Sequence, residues 1–448
     1  MPWKDDMESF TRTRTRTRGK LTLIALMTSG VLAFSACAAG PADDTEDKLV
    51  VWFPGTNQTE IDLVTETIVP QFEEETGSDV EVTFADWGDL STKLSAAFAA
   101  GTAPDVFGHG PAAIADYSVT ERVEPLDDYI AELDPAEVED LSAALPGGQV
   151  DGVQYLVPLS MQGNMLIYDA DTFTEVGLDP ENPPQTWEEI YAAAEKLTVK
   201  DGNAIVRSGL MLPTHPIGGQ QAFANLLLGA GGSQLSKDGT TAAMNSPEGE
   251  LALNYLVDMF AGTNPVTGNL GENFMDSAPA QQPVVTGDAA IQLTVAPRAT
   301  DIMAVDPERD FRIMPVPRFD STETGYALGG AGAGLMISSD SPNKDLAWKF
   351  IEYMIEPEVS EQYTSGIGAV PTRLSAMDSE YAQSSPVVQA WLEALPQFTP
   401  NPNVPGWVQA RDTMAGYIEQ ALHGQLTTKE ALSQMETAVD DILAKSRP

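Results

Sequence analysis

The chain of 448 residues has a single cysteine, Cys37, and only three histidines, His109, His215 and His423. One thiol cannot build an internal disulfide framework. CxxC, HExxH, GxSxG and phosphate-loop patterns are also absent, so redox, metalloprotease, hydrolase and nucleotide chemistries lack their signatures and no catalytic residue is assigned. Basic residues are scarce as well: 24 lysines and arginines face 66 acidic residues, a formal charge of −42. Neutralising a phosphate backbone requires a local basic patch, and the body of the chain offers none, which argues against nucleic acid as a partner. No cofactor or metal is expected. Asp169-Ala170-Asp171 has the start of a calcium loop without its downstream ligands, and reads as a strand-to-helix turn.

What positive charge there is gathers at the start. Arg12, Arg14, Arg16, Arg18 and Lys20 precede an apolar run over residues 21–34, and small residues then lead to Cys37. Positive segment, apolar segment and small-residue site make residues 1–36 a secretory signal. The apolar run falls short of the ~20 residues a membrane span needs. Phe34-Ser35-Ala36-Cys37 resembles a bacterial lipobox, with Phe34 where leucine is usual. Cys37 is then the expected lipidation site, and its acyl chains, at ~0.8 kcal/mol per buried CH₂, the expected membrane anchor. Residues 37–47, rich in Ala, Asp, Pro and Gly, read as the lipidated cysteine and a tether. The protein is expected to be extracytoplasmic, monomeric and in contact with the membrane through that lipid alone.

From Lys48 onward, short β-rich runs alternate with helical periodicity. Leu49-Val50-Val51-Trp52-Phe53 is a continuous apolar strand; Ile61, Val64, Ile68 and Phe72 follow at helical spacing, with Pro70 forcing a kink or restart. Val80–Phe84 alternates as a second strand, Leu90, Leu94 and Phe98 mark a second helix, and Asp105-Val106-Phe107 is a third strand. Thr186 with Glu189, and Thr427 with Glu430, have capping-box spacing. Ser341-Pro342 reads as a helix start with proline in first position. Repeated β-α-β units predict an α/β fold of mainly parallel sheets flanked by helices. In such sheets ligands sit at the carboxyl ends of the strands. Thr56 and Asn57 follow the first strand and Trp87 the second, so their hydroxyl, amide and indole are candidate ligand contacts. A polar turn with a helix cap explains Asn57 equally well, and packing on the fold explains Trp87 equally well.

Several segments together carry a resemblance. Lys48-Leu49-Val50-Val51-Trp52, Phe72-Glu73-Glu74-Glu75-Thr76-Gly77 and Ala100-Gly101-Thr102-Ala103-Pro104-Asp105-Val106 come first. Asp151-Gly152-Val153-Gln154-Tyr155-Leu156-Val157-Pro158, Leu166-Ile167-Tyr168-Asp169 and Pro184-Gln185-Thr186-Trp187-Glu188-Glu189 follow in that order. The match resumes at Ser341-Pro342-Asn343-Lys344 and closes at Gly424-Gln425-Leu426-Thr427-Thr428-Lys429-Glu430. Each is weak alone; in this order they resemble family 1 extracellular solute-binding proteins of ABC importers, the group that includes maltose-binding protein. The resemblance implies two α/β lobes, residues 48–159 with 331–371 and residues 160–330 with 372–448. The chain would cross between them near Leu159-Met161, Gly329-Gly332 and Pro371-Arg373. The glycines of the second crossing suit a bending segment or a tightly packed strand turn.

The same resemblance implies a non-enzymatic binder that hands a small molecule, first of all an oligosaccharide, to permease subunits. It points to His109 after the third strand, to Gln162 beside the first crossing and to Trp407 as a ligand-stacking aromatic, with Arg411 one turn on. Arg298 follows a strand where sugar binders of the family often carry an aromatic, which keeps an acidic solute open. A polyamine or organic anion as solute, and a lipid-anchored glycoside hydrolase, stand as alternatives, since paired carboxylates have no sequence spacing. Trp187 and Trp348 lie within amphipathic patterns and are expected to be core.

Overall fold

The computed structural model describes residues 48–268 and 270–447; Cys37, the signal segment and the tether lie outside them. The first sheet contains β1 (Lys48–Pro54), β2 (Asp79–Ala85), β3 (Val106–His109) and β4 (Val157–Pro158). After β5 (Met161–Gly163) the chain enters a second sheet through β6 (Met165–Asp169), β7 (Ile291–Thr294) and β8 (Phe311–Met314). It then returns along β9 (Ala327–Ala331) to β10 (Gly334–Ile337), and β11 (Phe398–Thr399) comes late.

The first sheet runs β2-β1-β3-β10-β4. Its first three strands are parallel, with Pro54 opposite Ala85 and Trp52 opposite Phe107. In β1 the side chains of Leu49, Val51 and Phe53 are buried and alternate with more exposed neighbours, as a pleated strand with one better-covered face requires. The return strand β10 lies antiparallel to both β3 and β4, and in the second sheet β6 is antiparallel to both β7 and β8. The sheets are therefore mixed rather than mainly parallel. β10 enters from the opposite end because the chain visits the second sheet before coming back. Asp105 anchors that return: its carboxylate accepts from Val50 N at 2.9 Å and from the Ser341 hydroxyl at 2.6 Å. Ser341 Oγ also accepts from Asn343 N, so the helix expected at Pro342 begins two residues later, at Lys344.

Helices cover both sheets. Those used below are α1 (Trp87–Ala100), α2 (Ile114–Val119), α3 (Trp187–Leu197) and α4 (Pro216–Gly229). Later come α5 (Ala296–Val305), α6 (Lys344–Ile355), α7 (Trp407–Leu422) and α8 (Thr428–Ser446). The capping boxes at Thr186/Glu189 and Thr427/Glu430 both form and open α3 and α8. Pro70 is accommodated by a π turn over Val64–Ile68 immediately upstream, where Val69 N reaches Val64 O. A widened turn makes room for a ring that would otherwise clash with the carbonyl four residues back.

Each sheet has its own apolar core. Beneath the first, Leu49, Val51, Phe72 and Phe350 pack with Trp348, whose ring stacks on Tyr129 at 5.2 Å. Around the second, Phe173, Trp187, Leu226 and Trp407 share another. Between the sheets, Gly329, Gly330 and Ala331 of β9 pair with Gly163, Gln162 and Met161 of β5, and Met161 N donates to Val370 O at 2.9 Å. β5 thus lies between β9 and the residue just before Pro371. The glycines of β5 and β9 have local reasons: Gly330 has φ of 115°, and a Cβ on Gly163 would sit 2.2 Å from the Phe398 ring. Arg373 is pinned further on, donating to Ile355 O and, at 3.0 Å, to Asp140 Oδ2. A buried cation needs such full pairing.

Candidate ligand-binding site

Because β1, β2 and β3 are parallel, their carboxyl ends open at one edge, and Gly55 N donates to Ala85 O at 2.7 Å to hold the first two loops together. Gly55 has φ of 101°, and a Cβ there would lie 3.3 Å from Trp87 Nε1. The Trp87 indole leans over this bare backbone. It starts α1, whose N-cap Asp86 accepts from Gly88 N, and it remains 43% exposed. That exposure leaves an indole face open to solvent at the strand edge.

His109, at the end of β3, stands edge-on to Trp87 with ring centroids 6.0 Å apart, and 5.8 Å from Tyr117. It is buried. Nδ1 accepts from Gly110 N at 2.8 Å, which leaves the proton on Nε2, 3.1 Å from Ser91 Oγ. Burial pushes its pKa down to about 4; the Gly110 carbonyl, 3.3 Å from Nδ1 and able to accept from the protonated ring, opposes this, and the positive charge of Arg411 adds to it. The imidazole is neutral at physiological pH.

The other anticipated residues fare differently. Thr56 is exposed and directly follows Gly55 in the loop after β1. Asn57 is the N-cap of the next helix, accepting from Thr59 N at 3.0 Å, so its oxygen is already engaged. Gln162 is exposed on β5 opposite Gly330. Arg411 is held by Asp412, with Nη2 2.9 Å from Oδ1, and its charge is felt by both His109 and Asp116. Two expectations are corrected. Arg298 pairs with Asp301 one turn along α5 at 3.4 Å, both largely buried, so its charge is compensated within the helix. Trp407 has no exposed face: it lies in the core of the second sheet, with its Nε1 buried and without a hydrogen-bond partner. In this conformation it packs rather than stacks on a solute.

Two residues that sequence reasoning did not single out tie distant parts of the chain together beside α2. Asp116 of α2 accepts from Gly406 N at 2.5 Å, at the start of α7. Asn403 accepts from Ala115 N at 2.9 Å. The only signal was negative: Gly406 precedes α7 with no capping side chain of its own. A cavity of about 560 Å³ lies beside this junction, lined among others by Asp116, Val408, Asp412 and Ser446. A second, of about 430 Å³, lies over α3 between Phe173, Pro184, Lys196 and Arg318. Neither is lined by Trp87 or His109. Among the described residues no cluster of three or more potential metal ligands forms, and no helix is long and apolar enough to cross a membrane.

Known proteins share this fold. The model of the bacterial extracellular solute-binding protein family matches residues 55–361, and the chain belongs to that family. It is an extracellular solute-binding protein and not an enzyme. An ABC-transporter solute-binding protein of Thermotoga lettingae, solved bound with α-D-tagatose, is 25% identical with a TM-score of 0.79, covering 89% of this chain and all of its own. The cyclic α-maltosyl-1,6-maltose-binding protein of Arthrobacter globiformis is 25% identical with a TM-score of 0.70, covering 89% and 99%. A lipoprotein of Streptomyces antibioticus is 25% identical over 383 residues, 81% of this chain and 78% of its own.

The depressed pKa of His109 has a measurable consequence. Its folded value near 4 lies below the ordinary 6.5, so between these values the unfolded chain binds more protons. The stability it contributes is complete above the ordinary value and lost as pH falls toward the folded one. Urea denaturation from pH 7 to pH 4.5 should show the wild type losing about 2 kcal/mol more than His109→Gln over that range. Equal losses in the two proteins would mean that the imidazole is solvated.

Proposed function

We propose that the protein captures a neutral carbohydrate, an oligosaccharide in the first instance, outside the cytoplasm and delivers it to the permease of its ABC transporter. The observation that carries this reading is the exposed Trp87 indole at the shared strand edge, above the backbone of Gly55 and next to a neutral His109. An indole face buries the apolar face of a sugar ring, while hydroxyl and amide groups such as those of Thr56 and Gln162 orient its hydroxyls. Charge supports the same solute class. The imidazole is neutral, Arg298 is paired with Asp301 and Arg411 with Asp412, so the candidate residues present no uncompensated cation to an anionic solute. The tagatose bound by the Thermotoga protein and the cyclic maltosyl-maltose for which the Arthrobacter protein is named agree with it.

In this reading the two sheets belong to two lobes, and β5, β9 and the segment at Val370 are the crossings about which they move. A solute that touches both lobes binds the closed state better and so favours closure. Cys37 carries the lipid that keeps the protein near its permease, in keeping with the Streptomyces lipoprotein among its relatives.

Thermal-shift screening against mono- and oligosaccharides should yield a sugar that raises the melting temperature. Calorimetry with that sugar should show Trp87→Ala binding roughly tenfold more weakly. A panel in which organic anions or polyamines stabilise the protein and sugars do not would overturn the carbohydrate assignment, and unchanged affinity in Trp87→Ala would remove the indole from the site. For the anchor, cell fractionation should find wild type in membranes and Cys37→Ser either released or unprocessed; equal palmitate labelling of both would exclude Cys37.

A further inference from the structure

The start of α7 cannot cap itself. Its N-cap, Gly406, has φ of 85°, and a Cβ there would sit 2.3 Å from Ser446 Oγ in α8. Glycine is enforced at the one position where a serine, threonine or aspartate would normally accept from the first free N–H groups of a helix. Those groups nevertheless have an acceptor, 290 residues away in sequence. Asp116 takes Gly406 N at 2.5 Å on one carboxylate oxygen and Val408 N at 3.4 Å on the other. The negative charge also sits at the positive end of the α7 dipole.

The exchange is reciprocal. α2 has no side-chain cap from its own N-cap, Ala113. Asn403, in the loop that leads into α7, accepts from Ala115 N at 2.9 Å and donates through Nδ2 to Gln149 O at 3.1 Å. Apolar contacts cross at the same place. Val408 packs on the core formed by Leu90, Phe107 and Tyr117, while Ala112 packs on the core that holds Trp407. Each helix start is therefore completed by a side chain from the opposite half of the fold.

We propose that Asp116 and Asn403 are positioning residues that latch α7 onto α2, and that this mutual capping sets the population of the closed, solute-retaining state. The inference rests on the solute-binding reading above. The latch works through geometry: it holds Arg411 near His109 and buries Trp407, and opening it uncovers the N–H groups of Gly406 and Val408. Because each cap normally contributes on the order of a factor of five to an equilibrium, losing both shifts closure by more than tenfold.

The experiment uses the exported chain carrying Asp116→Ala, Asn403→Ala, both together, or Asp116→Asn. Small-angle scattering without any sugar should show a larger radius of gyration for the alanine variants and a near-wild-type radius for Asp116→Asn, whose amide oxygen still accepts. Calorimetry and stopped-flow mixing with the sugar from the screen should show affinity falling more than tenfold in the double variant. That loss should lie in a faster off-rate, with the on-rate nearly unchanged. An unchanged radius in the double variant overturns the latch, as does unchanged affinity. The scattering arm needs no solute, so a sugar screen without a hit would count against the function proposed above and leave the latch to be judged by scattering alone.

Discussion

Because β1 pairs in parallel with both β2 and β3, the chain must travel back across the sheet after each strand, and every return begins at the same edge. Gly55, Trp87 and His109 are brought together by that requirement, although more than fifty residues separate the first from the last. Parallel neighbours leave their loops at one end and their helices on the faces, so the edge is both exposed and rigidly framed. The Gly55 N–H bond to Ala85 O and the Asp105 carboxylate between β1 and the return at Ser341 fix the frame from either side. What a solute meets at this edge is set by backbone pairing first and by side chains second.

Charge follows a different logic at the edge and over the body. A net charge of −42 keeps an exported protein soluble and repels anionic surfaces, at some cost in self-repulsion. At the edge, burial holds His109 neutral and the nearby Arg411 is matched by Asp412. A neutral polar solute loses little on entering such surroundings, whereas a charged one would give up its hydration without a partner. The abundance of surface carboxylates therefore carries no information about the solute.

Local signals in the sequence were read correctly where physics is local. Capping boxes at Thr186 and Thr427 depend on residues three apart, and the β-α-β order from Lys48 to His109 depends on periodicity within each segment. Errors arose where long-range pairing decides. β10 runs antiparallel because of a detour through the second sheet, which its four residues do not reveal. Proline at 342 looked like a helix start until Asp105 claimed the preceding serine. The family resemblance pointed to Trp407 as a site aromatic, and its burial depends on packing around the second sheet. Arg298 is the instructive exception: its partner Asp301 is three residues away on the same helix, and the pairing was legible from spacing alone. The capping of α7 by Asp116 was not, since only the missing cap at Gly406 hinted that a distant acceptor was needed.

The most direct measurement is hydrogen–deuterium exchange on the wild-type protein with and without the solute that thermal-shift screening selects. Protection is expected in peptides covering residues 55–58, 86–91, 109–117 and 403–411, the strand edge and the junction of α2 with the start of α7. Protection confined to residues 179–196 and 318, around the cavity over α3, would place the solute elsewhere and contradict capture at the strand edge.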